Sequence, residues 1–371
     1  MKKIFKSLGL MSGTSMDGVD ASIIETDGKS NYKPILDKYF KYPKDIYRKL
    51  VLLRDNVKNL KDLKKYHKQL KIVEKEITIF HAKSVNLILK KFNSDVDFIG
   101  FHGQTIFHRP EKKITRQLGD GKLLSQLTKK KVIYDFRQND LKNGGDGAPL
   151  SPIFHELIAF KYKIDPPSIF VNIGGIANYT ILRSQKIKAN KFKNLHAGDL
   201  CLGNCLIDQW IRNKSEKNFD KDGKTAKSGR INKIKLKKAL NNYKIKKKRS
   251  LDIKDFNLSF ANGLSLKDGA ATLTEYTAQV LAKHLMSKIL GSTKIILCGG
   301  GRKNKFLISK LKKIIPYPIL LIDEYGIDGD FVESQAFAYL AARSYFNLPI
   351  SFPETTGCKK PCSGGVILKH V

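Results

Sequence analysis

Three apolar runs that end in glycine-rich turns are the feature that most limits how this chain can fold. They read "DVDFIGFHGQT", "SIFVNIGGIAN" and "KIILCGGGRKN", and they begin at Asp95, Ser168 and Lys294. A short apolar run rich in β-branched and aromatic residues predicts a buried strand, and the glycines that follow predict a tight turn. The sequence therefore predicts three buried strands that each lead into a glycine turn.

Amphipathic segments separate these strands. Apolar residues recur every three or four positions in Leu63–Phe92, and helical patterns also cover Ala270–Ile289 and Glu333–Phe346. Strands that alternate with helices are typical of an α/β fold, in which ligands bind at the carboxyl ends of the strands. We therefore expect a ligand site near the glycine turns.

The opening segment Leu8–Gly28, "LGLMSGTSMDGVDASIIETDG", predicts a strand, a small-residue loop and a second strand. Backbone N–H groups presented together by such a loop can bind an anion such as phosphate. Together with the turns "IGGIAN" and "CGGGRKN", this loop predicts a split nucleotide site, with phosphates on the first two turns and adenosine near the third.

Length and charge limit the number of domains and the kinds of partner that the chain can have. The chain has 371 residues and a formal net charge of +35. The length suits two domains, and we place the boundary near Lys131, which gives domains 1–131 and 132–371. Because the lysines are spread over nearly every segment, we expect solvated surfaces, no specific nucleic-acid partner and no membrane partner. No run has the length of a membrane span, which predicts a cytoplasmic protein.

The cysteines and the common catalytic motifs exclude several classes. The two C-x3-C pairs, Cys201 with Cys205 and Cys358 with Cys362, are spaced more loosely than a zinc knuckle, so we expect free thiols. The near-match to a P-loop, "NFDKDGKT", has Asn218 where the first glycine should stand. The sequence also lacks the dinucleotide-binding G-x-G-x-x-G and the hydrolase G-x-S-x-G motifs.

Eight segments in a fixed order carry a resemblance to a known family. They read "GLMSGTSMDGVDA", "GFHGQT", "DFR", "GGDGAPLSP", "NIGGIAN", "DGAATLTEYTA", "CGGG" and "ESQAFAYLAAR", and they run from Gly9 to Arg343. This set resembles the anhydro-N-acetylmuramic acid kinases. The resemblance implies a two-domain actin-like ATPase (ribonuclease H-like) α/β fold with an interdomain cleft. It also implies ATP and Mg²⁺ as cofactors, and it leaves a homodimer open.

The same resemblance implies a reaction. Members of the family hydrolyse the 1,6-anhydro bridge of a small anhydrosugar released in peptidoglycan recycling, and they phosphorylate its O6. The base that activates water is implied to be the aspartate of a "DTGPGN" motif. This chain has "DLCLGN", so Asp199, Gly203 and Asn204 match, whereas Leu200–Leu202 replaces Thr, Gly and Pro.

Other site residues carry over in the same way. The sugar is implied to contact Thr105, Arg137 and Glu333, although this chain has "ESQAF" where the family usually has Glu-Ala. Asp17 and Asp20 of the first loop are each a candidate to hold Mg²⁺ through water, because hard cations bind few protein oxygens and keep several waters, and the sequence does not choose between them. We interpret His102 and His108 as hydrogen-bonding residues. The predicted ATP-binding residues are Gly13, Thr14, Ser15, Met16, Asp17, Gly18, Val19, Asp20, Gly174, Gly175, Gly299, Gly300 and Gly301.

Two other functions remain open from the residues. An ordinary hydroxyl-directed sugar kinase of the same fold would share the glycine turns but would need no hydrolytic water. An actin-like nucleotide-binding assembly protein would share the ATP loops but would lack turnover stimulated by a sugar.

Overall fold

The computed structural model describes residues 3–183, 194–244, 251–289, 291 and 293–368. It divides into two compact units. Unit 1 contains the chain up to Lys163 and again from Phe331 onward, and unit 2 contains Ile164–Asp330. This division differs from the predicted boundary near Lys131, because Val132–Tyr134 pairs with a strand of unit 1 and the C-terminal segment returns to that unit.

The strands and helices have the following bounds. The strands are β1 (Phe5–Ser12), β2 (Gly18–Thr26), β3 (Tyr32–Lys41), β4 (Phe98–Arg109), β5 (Ile114–Leu118), β6 (Val132–Tyr134), β7 (Ser168–Ile173), β8 (Ile176–Leu182), β9 (Leu195–Leu202), β10 (Lys294–Cys298), β11 (Ile319–Leu321) and β12 (Val366–Leu368). The helices are α1 (Lys44–Asn56), α2 (Leu60–Lys65), α3 (His67–Phe92), α4 (Gly121–Thr128), α5 (Gln138–Lys142), α6 (Pro152–Lys161), α7 (Cys205–Lys214), α8 (Lys224–Lys227), α9 (Lys233–Asn241), α10 (Leu266–Met286), α11 (Lys305–Ile314), α12 (Val332–Tyr345) and α13 (Pro353–Thr356).

A mixed sheet, seven-stranded within the described residues, forms the centre of unit 1. Its order is β12-β6-β4-β1-β2-β3, and β5 pairs with β4. Strands β1 to β3 form an antiparallel meander, whereas β4 pairs in parallel with both β1 and β6. The carboxyl ends of β1, β4 and β6 therefore lie at one edge of the sheet.

Helix α12 packs on this sheet at unusually close range. Gly9 of β1 and Gly100 of β4 are paired in register, and both face the helix. A Cβ atom on Gly9 would overlap the Ser334 carbonyl oxygen, and one on Gly100 would overlap that of Phe337. Two glycines side by side therefore permit the helix to lie directly against the strands.

Unit 2 repeats this arrangement. Its sheet, five-stranded in the part of the chain that the structure describes, has the order β11-β10-β7-β8-β9. Strands β7 to β9 form an antiparallel meander, and β10 pairs in parallel with β7 and β11. The core includes Trp210 of α7 and Leu273 of α10, both fully buried. Each unit therefore has three meander strands followed by strands parallel to the first, which is the order of the ribonuclease H-like fold.

The predicted helices and most of the predicted strand ends are confirmed. Leu63–Phe92 is helical apart from a break at Tyr66 between α2 and α3, and α10 and α12 cover the other two predicted helices. Strands β7 and β10 do end at glycine turns. The prediction for β4 is wrong, because this strand continues through "GQT" to Arg109 and pairs with β5.

No helix among the described residues is both long enough and apolar enough to cross a bilayer.

Candidate active site

The predicted strand, loop and strand at the start of the chain are confirmed as β1, a short turn and β2. The Gly13 carbonyl accepts hydrogen bonds from the Met16 backbone N–H at 3.1 Å and from Gln104 Nε2 at 2.9 Å. Gly13 and Asp17 are partly exposed, and Thr14 and Ser15 are exposed. The side chains of Met16 and Val19 are buried in the core, so only their backbone atoms can face a ligand.

Acidic oxygens lie beside this loop. The Ser15 hydroxyl donates to Asp17 Oδ1 at 2.5 Å, and Asp20 lies opposite Tyr39 in the pairing of β2 with β3. Burial raises the pKa of Tyr39, and the nearby carboxylates of Asp17 and Asp20 raise it further. Both carboxylates therefore lie close to one phenol, which the sequence analysis missed because the contact depends on the strand register.

Arg137 is held in place by a neutral histidine. Its Nε and Nη2 atoms donate to His102 Nε2 at 3.2 and 2.9 Å, and Nη1 donates to the Gly147 carbonyl at 2.7 Å. His102 Nδ1 donates to the Gly103 carbonyl at 2.8 Å. Burial lowers the pKa of His102 well below its ordinary value, and the guanidinium of Arg137 lowers it further. The predicted hydrogen-bonding role of His102 is confirmed.

The predicted substrate residues of unit 1 share one edge of its sheet. Thr105 is on β4, where its hydroxyl accepts a hydrogen bond from Gln117 Nε2 at 3.1 Å. Half-buried Glu333 lies in the first turn of α12. That turn packs over β1, since Ser334 adjoins both Gly9 and the Ser22 hydroxyl. Unit 1 therefore brings Thr105, Arg137 and Glu333 to the same edge as the Gly13–Asp20 loop.

In unit 2, the glycine turns lie at the ends of adjacent parallel strands. Gly174 and Gly175 follow β7, and Gly299 follows β10 with φ +75°. The backbone N–H groups of Gly203 and Asn204 donate to the carbonyls of Gly175 and Gly174 at 2.9 and 2.8 Å. The turn after β7 is therefore tied directly to the start of α7. Gly301 packs against Ile173, the last residue of β7, and against Asn204. The third glycine turn therefore lies beside the turn after β7 and the start of α7.

Asp199 lies on β9, shortly before Gly203 and Asn204, which contact the Gly174–Gly175 turn. It pairs in register with Asn178 of β8, and its side chain is half-buried. Its Oδ2 atom accepts a hydrogen bond from the backbone N–H of Leu251 at 2.8 Å. The apolar residues 200–202 that replace the family's Thr, Gly and Pro continue β9 into the core of unit 2. The three residues that depart from the motif are therefore the last three of β9, and Asp199 lies directly before them.

A buried arginine that the sequence analysis missed supports the third glycine turn. Arg302 is only 3% exposed, and its Nη1 donates to the Gly299 carbonyl at 3.2 Å. It binds both carboxylate oxygens of Asp323, at 2.6 and 2.9 Å, and also contacts Asp328 and Asp330. Two features of the sequence could have indicated this ion-pair cluster. An arginine directly follows the glycine turn, and the three aspartates lie close to one another further along the chain.

Two units that each have three antiparallel meander strands followed by strands parallel to the first define the actin-like class of α/β proteins, which confirms the predicted two-domain α/β fold. The family model described as "Anhydro-N-acetylmuramic acid kinase" matches residues 5–370. The chain belongs to the anhydro-N-acetylmuramic acid kinase family.

Two relatives of similar sequence agree with this membership. The chain is 50% identical over 379 residues to the anhydro-N-acetylmuramic acid kinase of Pelagibacter ubique, with 100% of both chains covered. It is 36% identical over 382 residues to the enzyme of that name from Agrobacterium fabrum, again with 100% of both covered. A solved structure, component A of the (R)-2-hydroxyglutaryl-CoA dehydratase of Acidaminococcus fermentans, has a TM-score of 0.45 and 12% identity, with 91% and 99% of the two chains covered.

Proposed function

We propose that this protein is a cytoplasmic, ATP-dependent kinase that cleaves the 1,6-anhydro bond of 1,6-anhydro-N-acetylmuramic acid with water and phosphorylates O6. The product is N-acetylmuramic acid 6-phosphate. The observation that carries the proposal is the position of Asp199, a half-buried carboxylate near the end of β9 whose orientation is set by the Leu251 N–H. It lies on the strand that leads into the Gly203–Asn204 contact with the first glycine turn of unit 2.

The glycine turns suit the phosphoryl-transfer half of the reaction. Phosphoryl transfer depends mainly on positioning and on groups that stabilise charge on the phosphate oxygens. Gly174, Gly175 and Gly299–Gly301 present backbone without side chains at the ends of β7 and β10. We assign the phosphates of ATP to the Gly13–Asp20 loop and to Gly174–Gly175, and the adenosine to Gly299–Gly301.

One carboxylate is enough for the hydrolytic half. Glycosidases commonly use two carboxyl groups, of which one protonates the leaving oxygen and the other activates water or attacks the sugar. Here the leaving oxygen is O6, and it receives the phosphoryl group in place of a proton. Asp199 then needs only to accept a proton from the water that attacks C1.

Three side chains of unit 1 suit the sugar. Arg137 is oriented by His102 and the Gly147 carbonyl, and its guanidinium suits the lactyl carboxylate. Glu333 accepts hydrogen bonds from sugar hydroxyls or from the acetamide N–H, and Thr105 binds near the ring.

The acidic residues beside the first loop fit Mg²⁺. The carboxylates of Asp17 and Asp20 both approach Tyr39 and provide hard oxygen donors, which Mg²⁺ prefers, often through retained water. These two residues would hold the ion, which neutralises charge on the phosphates of ATP when it is bound.

The decisive experiment measures ADP release by the purified protein with and without 1,6-anhydro-N-acetylmuramic acid, in H₂¹⁸O. We expect release that depends on the anhydrosugar and ¹⁸O at the C1 hydroxyl of the phosphorylated product. Phosphorylation without incorporation of label would favour the ordinary sugar kinase. ATP binding without sugar-stimulated turnover would favour the assembly protein.

The role of Asp199 is tested by Asp199→Asn. The amide keeps the size of the side chain and can still accept the Leu251 hydrogen bond, but it cannot take a proton from water. We expect turnover to fall by about 10²- to 10⁴-fold with little change in the binding of ATP or sugar. Asp165→Asn, an exposed aspartate of unit 2, is the matched control. Normal turnover in a destabilised Asp199→Asn protein would contradict the assignment.

A further inference from the structure

Two cysteines and one aspartate of unit 1, none of them assigned to ATP or sugar, meet beside the loop that contacts Arg137. Asp140 lies on α5, and Cys358 and Cys362 lie in the loop after α13. One ligand atom from each lies within 4.8 Å of the others, and all three residues are at most 4% exposed. The sequence analysis expected free thiols because the C-x3-C spacing is looser than that of a zinc knuckle. It did not consider Asp140, which is more than 200 positions away in the chain.

We propose that Asp140, Cys358 and Cys362 form a binding site for one zinc ion. Zinc binds thiolate sulfur at about 2.3 Å and carboxylate oxygen at about 2.0–2.2 Å, in a tetrahedral arrangement. Those bond lengths place donor atoms about 3.6–3.8 Å apart around a shared ion. The distances between the three ligand atoms are at most 4.8 Å, so they exceed those around a shared ion by no more than about 1 Å. Water or another external ligand fills the fourth position.

The chemistry of the donors selects the metal. A pair of sulfur ligands favours zinc or copper(I) over magnesium, calcium or manganese, which prefer oxygen. A carboxylate oxygen as the third donor favours zinc over copper(I), which prefers soft ligands alone. Zinc is therefore the ion that suits all three side chains.

The carboxylate of Asp140 is oriented by two hydrogen bonds. The Thr356 hydroxyl donates to Oδ1 at 2.6 Å, and the Gly147 backbone N–H donates to Oδ2 at 2.6 Å. Each oxygen keeps a second lone pair, so these bonds are compatible with coordination. Carboxylates that bind metals are commonly fixed by such partners.

The charge balance at the cluster is favourable. Zinc binding replaces the protons of the two thiols, so Zn²⁺, two thiolates and one carboxylate carry a net charge of −1, and two protons pass to solvent. Lys359 and Lys360 stand between the cysteines, and both are exposed. Their positive charge offsets that of the complex.

Zinc would tie together two loops that already contact each other. Asp146 N–H donates to the Thr356 carbonyl at 2.9 Å, and Lys359 N–H donates to the Asn143 carbonyl at 3.0 Å. Gly147, which binds Asp140 through its N–H, accepts the Arg137 hydrogen bond through its carbonyl. The ion would therefore stabilise the loop against which Arg137 is placed.

Metal content and zinc titration of the full chain test the proposal. The protein is reduced with a phosphine, stripped with a chelator and titrated with Zn²⁺ against a chromophoric competitor. We expect one equivalent to bind and to raise the Tm. Co²⁺ in place of Zn²⁺ should give thiolate-to-metal charge-transfer absorption. Cys358→Ser and Cys362→Ser should each lower the affinity at least about 100-fold, whereas Cys205→Ser, in unit 2, should bind zinc normally.

A gentler variant guards against failure to fold. Thr356→Val removes the hydroxyl that orients Asp140 and should weaken zinc binding by about 10- to 100-fold while the cobalt spectrum keeps its thiolate bands. Wild-type protein that binds no more zinc than the Cys358→Ser/Cys362→Ser double variant would overturn the proposal. A Cys358–Cys362 disulfide that forms in air, with no zinc uptake after reduction, would also overturn it.

Discussion

The paired glycines beneath α12 provide the sharpest test of the packing in unit 1. Replacing Gly100 or Gly9 by Ala introduces one methyl group where the helix backbone lies. On Gly9 the new Cβ would stand 2.5 Å from the Ala338 backbone nitrogen and would overlap the Ser334 carbonyl oxygen, whereas ordinary contacts begin near 3.4 Å. The helix or the strand must therefore move by about 1 Å or more.

The loss in the free energy of unfolding follows from that displacement. Overpacking in a well-packed core usually destabilises by about 1–3 kcal/mol, and here the obstructing atoms are backbone that cannot change rotamer. We expect each single substitution to lower the free energy of unfolding by about 3 kcal/mol, which corresponds to roughly 6–12 °C in Tm for a unit of this size. Since Glu333 is in the first turn of the same helix, KM for the sugar should rise as well.

The assay is thermal and denaturant unfolding of both single variants and of the double variant. Because either methyl group already lifts the helix, the double variant should lose less than the sum of the two single losses. Gly198→Ala, where the nearest atom to a new Cβ is 3.5 Å away, is the control for stability. A Tm within about 1 °C of the parent for both single variants would refute the reasoning, since it would mean that the helix is not held against these glycines.

Three further predictions concern charged and titratable groups. Burial lowers the pKa of His81 from 6.5 to about 4, so the unfolded state binds a proton first as the pH falls; the contribution of this group to stability is complete above pH 6.5 and should drop by about 2.5 kcal/mol by pH 4.5. In urea titrations the acid loss of His81→Phe should be smaller than that of the parent by this amount, and a remainder should persist because burial also lowers the pKa values of His102 and His155. Arg302→Met leaves the neighbouring aspartates without their cation and should destabilise unit 2 by about 2 kcal/mol. The loss is smaller than for a fully buried ion pair because Asp323 is 43% exposed, and a normal unfolding midpoint would contradict the prediction. Arg137→Lys loses the planar fork and should raise KM for the anhydrosugar about 10- to 100-fold with a smaller effect on kcat, as measured by steady-state kinetics.

Local patterns predicted the elements but not their grouping. The periodicity of Leu63–Phe92 and the glycines after β7 and β10 depend on neighbours in sequence, and both predictions hold. The division into units depends on which distant segments pair. Strand β6 is three residues long, and its pairing with β4 and β12 assigns it to unit 1.

The same distinction applies to the candidate site. The loop Gly13–Asp20 and the turn Gly174–Gly175 were found because glycine has a strong local signature. Arg302 was missed because its importance comes from three carboxylates that the fold collects around it. The burial of the Met16 side chain was also not predicted, because the core beneath the loop is formed by segments that are distant in sequence.

The interrupted path of the chain through unit 1 has a consequence for synthesis on the ribosome. Unit 2 is continuous from Ile164 to Asp330, whereas unit 1 needs α12, which begins at Val332. A nascent chain can therefore complete unit 2 while β1 and β4 still expose the surface that α12 later covers. Apolar surface that stays uncovered during translation promotes aggregation and chaperone binding. The folding of β1 and β4 therefore depends on a helix that is synthesised after the whole of unit 2.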